Sequence, residues 1–191
     1  MHVLDAAKEL DKVFTQFLDL FDYEHAEILK KKAYFAGGCI YSLINDKKVN
    51  DYDIFLIDNT DMRSLIELPF WKCKTEYALS FGKYQVVTKY FGNPDECVGE
   101  FDFKHNMFFY VPFSGEIKSA CDSFDYLTSN KLVFNESRAR DLEGVFLRIE
   151  KFKNRGFIIP RGLKQQIKKR TTPQKIQAYK KAKARRNKNF Y

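Results

Sequence analysis

Ala33-Tyr34-Phe35-Ala36-Gly37-Gly38-Cys39-Ile40-Tyr41-Ser42-Leu43-Ile44, followed after six residues by Asp51-Tyr52-Asp53-Ile54-Phe55-Leu56-Ile57, is the stretch on which the reading of this chain turns. Ala33 to Ala36 reads as a short strand and Gly37-Gly38 as a tight turn. Cys39 to Ile44 reads as a helix that fades at Asn45-Asp46. Tyr52 to Ile57 is a second strand, where period-two alternation puts Asp51, Asp53 and Phe55 on one side and Tyr52, Ile54 and Leu56 on the other. Two carboxylates projecting together from one strand suit hard divalent cations bound through oxygen. Nucleotidyl transfer needs two such ions about 3.5 to 4 Å apart, one to activate the attacking hydroxyl and one to steady the triphosphate. The glycine pair lets phosphate approach the backbone closely, and the helix after it offers its first amides. Taken singly, an Asp-x-Asp pair also suits a solvated strand edge.

Upstream, Leu4, Ala7, Leu10, Phe14, Phe17, Leu18 and Phe21 recur on one helix face, which predicts an amphipathic helix over 4–21. Downstream, Asp61 to Leu68 has helix signals ended by Pro69. Lys74 to Phe81 and Tyr84 to Tyr90 flank Gly82-Lys83 as a predicted hairpin. Asn93 is placed to cap a helix with Pro94 in its first turn. Met107 to Val111 reads as a strand and Ser119 to Leu127 as a helix. From Ser137 the pattern becomes a helix with Leu142, Val145, Phe146, Ile149 and Phe152 on one face, ended by Gly156. Past Pro160 two basic helical segments are expected, the second capped by Thr172 with Pro173 at its first position.

The order strand, Gly-Gly, helix, loop, Asp-x-Asp strand resembles the nucleotidyltransferase superfamily that includes DNA polymerase beta, poly(A) polymerases and tRNA CCA-adding enzymes. Asp102-Phe103-Lys104-His105-Asn106-Met107 is similar to the Asp-Phe-Thr-x-Asn-Ala segment of the CCA-adding and poly(A) polymerase branch. Asp141 to Phe157 resembles that branch's later Asp-x-x-Arg-x-x-Arg-x-x-Phe helix ending in Gly-Phe. The likeness spans about residues 33–158. It implies an α+β fold, a small mixed sheet flanked by helices with the site at the sheet's open face, together with Mg2+ (or Mn2+) and a nucleoside triphosphate. On it Asp51, Asp53 and Asp102 are the catalytic and metal-binding carboxylates, and Gly37, Gly38 and Ser42 receive the triphosphate. Asp102 has a second reading, a cap on the following turn through its own backbone. His105 reads as structural or superficial.

The chain also departs from the branch. Ile40-Tyr41-Ser42 stands where CCA-adding enzymes have Val-Arg-Asp, Glu100 and Phe101 stand where they have two arginines, and the base-selecting Glu-Asp-x-x-Arg motif is absent. Lys83, Lys89 and Lys104 are the cations available to compensate, and no spacing selects one. Phe101, Phe103, Phe108, Phe109 and Tyr110 fit buried strands, with a base-stacking surface as the alternative.

Composition sets the remaining bounds. With 191 residues, 45% hydrophobic and 30% charged, the chain suits one compact catalytic domain with an appendage. Four cysteines without close pairs, and three histidines none of them near a cysteine, argue against a zinc site and for reduced thiols. The longest apolar run, Met107 to Phe113, falls far short of the roughly 20 residues a membrane span requires, and the N-terminus has no secretory pattern, so a cytoplasmic protein is expected. Lys, Asn, Phe and Tyr are abundant, as in translations of AT-rich genomes, which hints at a virus or phage and a host cytoplasm. Residues 161–191 hold twelve Lys or Arg and no Asp or Glu, leaving residues 1–160 at −4 of the total +8. We therefore expect a nucleotidyltransferase domain over 1–158 and a basic helical tail over 159–191. Lys168, Lys169, Arg170, Lys180, Lys181, Arg185 and Arg186 of that tail are expected to meet a polyanion, RNA above all, by phosphate contacts. Two rivals stay open: the same fold kept as a nucleic-acid or protein binding module, and nucleotidylation of a protein side chain.

Overall fold

The structure, a computed structural model, describes residues 1–138, 141–172 and 175–178 and divides into two compact units, Met1–Thr128 and Ser129–Tyr191. The first holds a seven-stranded mixed sheet flanked by helices. Its strands are β1 (Ala33–Ala36), β2 (Tyr52–Leu56), β3 (Cys73–Lys74), β4 (Ala78–Phe81), β5 (Tyr84–Phe91), β6 (Phe108–Tyr110) and β7 (Ile117–Ser119), in the order β3-β4-β5-β2-β1-β6-β7. Only β2 with β5 runs parallel; the other pairs are antiparallel.

Two hydrophobic layers sandwich β1 and β2. Below the sheet lies α1 (Val3–Leu18), whose buried stripe of Ala6, Ala7, Leu10, Val13, Phe14, Phe17 and Leu18 keeps one face at helical spacing. Phe14 meets Phe35 edge-on at 5.9 Å between ring centroids and Phe17 meets Tyr84 at 5.0 Å. Asp11 on this helix accepts from the Tyr110 hydroxyl (2.8 Å) and the Phe113 amide (2.7 Å), tying α1 to β6 and the turn after it. Above the sheet, Tyr34, Ala36, Phe55, Val87, Met107 and Phe109 form the second layer with Val98 of α5 (Pro94–Gly99). Phe103, Phe108, Phe109 and Tyr110 are buried, and Phe101 is half-buried.

Several local expectations are met and others corrected. Asn93 caps α5 by accepting from the Asp95 amide, with Pro94 in its first turn. Gly38 opens α3 (Gly38–Ile44), while Asp61–Leu68 shrinks to α4 (Met62–Glu67). The opening helix stops at Leu18, and a second one, α2 (Tyr23–Lys32), occupies a stretch in which no helix was expected. It buries only Leu29, so no apolar stripe betrays it, although Asp22 caps it through the His25 amide at 3.0 Å. Lys74 to Phe81 is not one strand: the Thr75 hydroxyl accepts from the Tyr77 and Ala78 amides and folds the chain back between β3 and β4. The helix expected over Ser119–Leu127 is largely overturned. Ser119 ends β7, opposite Phe108, and a tight turn around the Ser119 hydroxyl and Cys121 leaves only α6 (Asp125–Thr128) helical.

The second unit contains α7 (Leu142–Asn154) and α8 (Leu163–Lys168), and a short parallel bridge joins Lys131 to Ile158. The Thr172 hydroxyl accepts from the Lys175 amide ahead of helical residues 175–178. Pro173, Lys180, Lys181, Arg185 and Arg186 lie outside the described residues. Composition shifts at 158/159, inside this unit, whereas the compact units divide at 128/129. In these bounds residues 129–191 hold nineteen Lys or Arg against four Asp or Glu, a net +15, and residues 1–128 carry −7 of the total +8.

Candidate active site

Asp53 is the half-exposed member of an otherwise buried strand. Tyr52, Ile54, Phe55 and Leu56 are all buried, and Asp51, just before β2, is exposed. The antiparallel register pairs Phe35 with Ile54, so the next position sets Ala36 opposite Asp53. Ala36 in turn pairs with Phe109, and Asp53 with Gln85 of β5. One row across the upper face therefore reads Gln85, Asp53, Ala36, Phe109, and the methyl of Ala36 leaves room beside the carboxylate. Opposite residues of paired strands share a face, so Asp53 projects on the same side as Phe55 and Tyr34.

The glycine turn comes to the same place. Gly37 follows Ala36 with φ 83° and ψ −139°, donates its amide to the Phe108 carbonyl and opens α3. This is a backbone conformation open in practice to glycine alone. Gly38 has ordinary dihedrals, and a Cβ built there would meet nothing within 4 Å. Cys39, in the first turn of α3, brings helix and strand together. Its buried thiol is pushed up to about 12, chiefly by burial and next by the negative charge of Asp53, while the Asp53 amide donates to its sulfur. A thiol held so firmly protonated is no nucleophile. Ser42 sits half-buried one turn further along α3.

Over the turn lies a residue that the sequence did not single out for this role. Phe101 packs on Phe55 at 5.6 Å between ring centroids, and its Cε2 is 3.5 Å from where a Cβ of Gly37 would be. The ring thus roofs Gly37 at the position where the family resemblance asks for arginine. Asp102 follows it, half-buried, between Phe101 and the fully buried Phe103. The three carboxylates are not gathered into a ligand triad: among the described residues no group of three or more His, Cys, Asp or Glu is arranged to hold a metal ion. Asp53 on β2 and Asp51 just before it are hard oxygen donors two residues apart, of a kind that suits Mg2+ or Mn2+ and not a thiophilic ion.

The fold also sorts the lysines. Lys104 donates to Asp122 at 2.6 Å and lies over the Tyr126 ring, and Lys89 lies over the Tyr77 ring. Lys83 is level with the start of β2, where its carbonyl accepts from the Tyr52 amide at 2.7 Å. His105 is buried between Tyr41 and Phe103. In the second unit Arg170 donates to the Glu136 and Arg138 carbonyls at 3.1 and 2.8 Å, and Lys168 lies over the Phe146 ring. Lys169 is exposed.

The later motif is altered as well. Three residues after Asp141, where the resemblance has arginine, stands Gly144, and a Cβ there would run into the Asp141 carboxylate. Arg148 takes up that carboxylate instead, at 3.0 Å.

Comparison with solved structures finds the same fold. A Thermotoga maritima CCA-adding enzyme complexed with tRNA matches with TM-score 0.54 at 16% identity, over 78% of this chain and 42% of that one. A Bacillus stearothermophilus CCA-adding enzyme in complex with CTP matches with TM-score 0.52 at 16% identity, over 74% and 40%. A tRNA nucleotidyltransferase complexed with a primer tRNA and an incoming ATP analog matches with TM-score 0.54 at 19% identity, over 75% and 48%. The chain spans less than half the length of each, and at these identities the likeness is one of fold. No curated protein matches the chain. Residues 8–143 match the family described as "Gabija anti-defense 2 family protein".

Proposed function

The chain belongs to the Gabija anti-defense 2 family, and we propose that it is a metal-dependent nucleotidyltransferase that moves a nucleoside monophosphate from a nucleoside triphosphate to an acceptor hydroxyl, with RNA as the favoured acceptor. The observation that carries this reading is the juxtaposition of Asp53 with the glycine turn, joined through Ala36 in the sheet and Cys39 in α3.

Asp51 and Asp53 would hold Mg2+ or Mn2+, which, when bound, supplies charge neutralisation at the phosphates and acidifies the attacking hydroxyl. The rest falls to the protein. Gly37 and Gly38 admit the triphosphate to the backbone, and Ser42 stands one helical turn beyond as a hydroxyl donor. Asp102 orients the acceptor or ribose side of the site. Lys83 is the lysine that the sheet brings level with the start of β2, and it takes the part of the missing arginines. The strongly basic second unit, with Lys168 and Lys169 among its exposed or aromatic-stacked cations, holds the polyanion by sequence-independent phosphate contacts that weaken as salt rises.

A second reading has its own support. The family's designation favours a target within a defence system, and Phe101 over Gly37 narrows the phosphate side. On that reading the acceptor is a protein hydroxyl, or the fold binds a protein without chemistry. Incubation with each labelled triphosphate, Mg2+ and either RNA or a cell extract, beside the Asp51→Ala, Asp53→Ala double variant, separates these. Label on RNA supports the first reading and label on protein the second, while no label in any mixture leaves the binding module. Transfer that survives the double substitution refutes the mechanism.

A further inference from the structure

The second unit contains a groove that no sequence motif marks. The parallel bridge between Lys131 and Ile158, with Leu132 donating to the Ile158 carbonyl at 2.9 Å, sets the segment 131–136 beside the segment 160–166. Between them lies a cavity of ≈ 440 Å³, open to solvent on one side, within the range of about 300 to 1,000 Å³ usual for small-molecule sites. Of its apolar lining, Val133 and Pro160 are half-buried and reach solvent, while Leu132, Phe134 and Leu163 are buried beneath them, Phe134 with the Arg170 guanidinium over its ring. Lys131 and Arg161, thirty residues apart in sequence, are both exposed at it, and among the described residues neither the Lys131 ammonium nor the Arg161 guanidinium has a hydrogen-bond or ion-pair partner, the Lys131 backbone amide alone donating to the Ser129 hydroxyl. The one carboxylate among the lining residues, Glu136, accepts from the Gln166 amide at 2.7 Å.

We propose that this groove binds one nucleotide unit of a single-stranded polynucleotide, with Lys131 and Arg161 on the flanking phosphates and the base on the apolar floor. The proposal rests on the reading of RNA as acceptor and gives that reading a defined subsite. Three observations favour this occupant. Two cations without side-chain partners flank a small apolar surface of Val133 and Pro160, which matches the alternation of phosphate and apolar base along a single strand. The described residues of this unit hold twelve Lys or Arg against four Asp or Glu, a net +8, which draws polyanions of any sequence. The Glu136–Gln166 pair presents an acceptor and a donor at the wall, where a base edge has both to satisfy. A duplex, whose bases are stacked inward, has no group to offer such a floor.

The test measures binding of a fluorescein-labelled eight-nucleotide single-stranded RNA to the full chain by anisotropy across a salt series. Each phosphate contact removed from a single strand lowers the slope of log K against log salt by about 0.7, so Lys131→Ala, Arg161→Ala together should lower it by about 1.4. Lys153→Ala, Arg155→Ala removes the same charge from the same unit outside the groove and should lower it by much less. An oligomer of the same length with abasic positions should bind more weakly to the wild type, and the difference should shrink when Val133→Asp makes the floor polar. Equal losses from the two double variants would overturn the proposal, because binding is then diffuse. So would equal affinity for the abasic strand, or for a poly-glutamate peptide that depends on the same two residues. If groove variants bind and receive label as the wild type does, the groove assignment falls and the reading of the active site stands. If the wild type binds no RNA at low salt, the groove assignment and the RNA acceptor fall together.

Discussion

Gly38→Ala separates the fold's demands from those of a nucleotide. The position has ordinary dihedrals, lies at the first residue of α3, and has nothing within 4 Å of the added Cβ. A Gly→Ala change at such a site stabilises by about 0.4 to 1 kcal/mol, because the unfolded chain loses more freedom than the folded one. For a chain of this size 1 kcal/mol moves Tm by about 2 to 4 °C, so a rise of about 1 to 4 °C is expected in thermal melts without ligand. Gly37→Ala provides the contrast. At φ 83° and ψ −139° an alanine is strained by about 1 to 3 kcal/mol, and the melt should move down, not up. Contact with Phe101 adds little, since 3.5 Å is ordinary van der Waals distance. If the triphosphate lies against this turn, the open space at Gly38 is the space it uses. A methyl there should lower triphosphate affinity about tenfold or more in calorimetric titration, even as the protein becomes more stable. A lowered Tm for Gly38→Ala would refute the structural reasoning, and a raised Tm with unchanged triphosphate affinity would remove Gly38 from the site.

Other perturbations test the frame around it. Asp11→Ala strands the Tyr110 hydroxyl and the Phe113 amide, so urea denaturation should show a loss of about 1 to 3 kcal/mol. Gly144→Ala, which in an open helix would stabilise by about 1 kcal/mol, should gain less here because its Cβ displaces the Asp141 carboxylate and with it the bond from Arg148; the full gain would disprove that packing. The Asp58 carboxyl is held at about 2, below its ordinary 3.8, by the Thr60 hydroxyl first and then by the Lys32 ammonium. A depressed folded pKa contributes stability above pH 4 that is lost as pH falls through about 2. Asp58→Asn should therefore melt with a flatter pH dependence between pH 4 and 2 than the wild type.

The centre of the fold was legible because its signals are local. Ala33–Ala36 and Tyr52–Leu56 are short apolar runs bounded by a glycine pair and a polar loop, and two-residue alternation already placed Asp53 and Phe55 on one face. Helix α2 was not legible, since a helix that buries one leucine has no stripe. Nor was β7, whose three residues take their strand conformation from pairing with β6. The groove of the second unit was invisible for a related reason. Lys131 and Arg161 are ordinary surface cations until a backbone bridge at Ile158 brings their segments together.

The missing arginines are where sequence and structure bear most directly on each other. Read as a string, Glu100-Phe101 in place of two arginines says only that phosphate contacts are gone. In the fold, Phe101 is a roof on Gly37 and a partner of Phe55, part of the apolar layer that also holds Tyr34 and Val98. A guanidinium in that layer would be costly without a bound anion to pair with it, whereas a phenyl ring keeps the turn packed whether or not a nucleotide is present. Charge for the triphosphate then has to come from outside the layer. The sheet brings one lysine level with the start of β2, Lys83, in the turn that leads into the parallel strand β5 and on the side away from the glycine turn. Lys83→Ala should consequently raise the KM for the triphosphate and leave Tm unchanged, and Phe101→Ala should lower Tm by the loss of a half-buried ring without raising that KM, since it opens the phosphate side. If both variants lower Tm alike and leave KM untouched, this division of labour between the two sides of Asp53 is wrong.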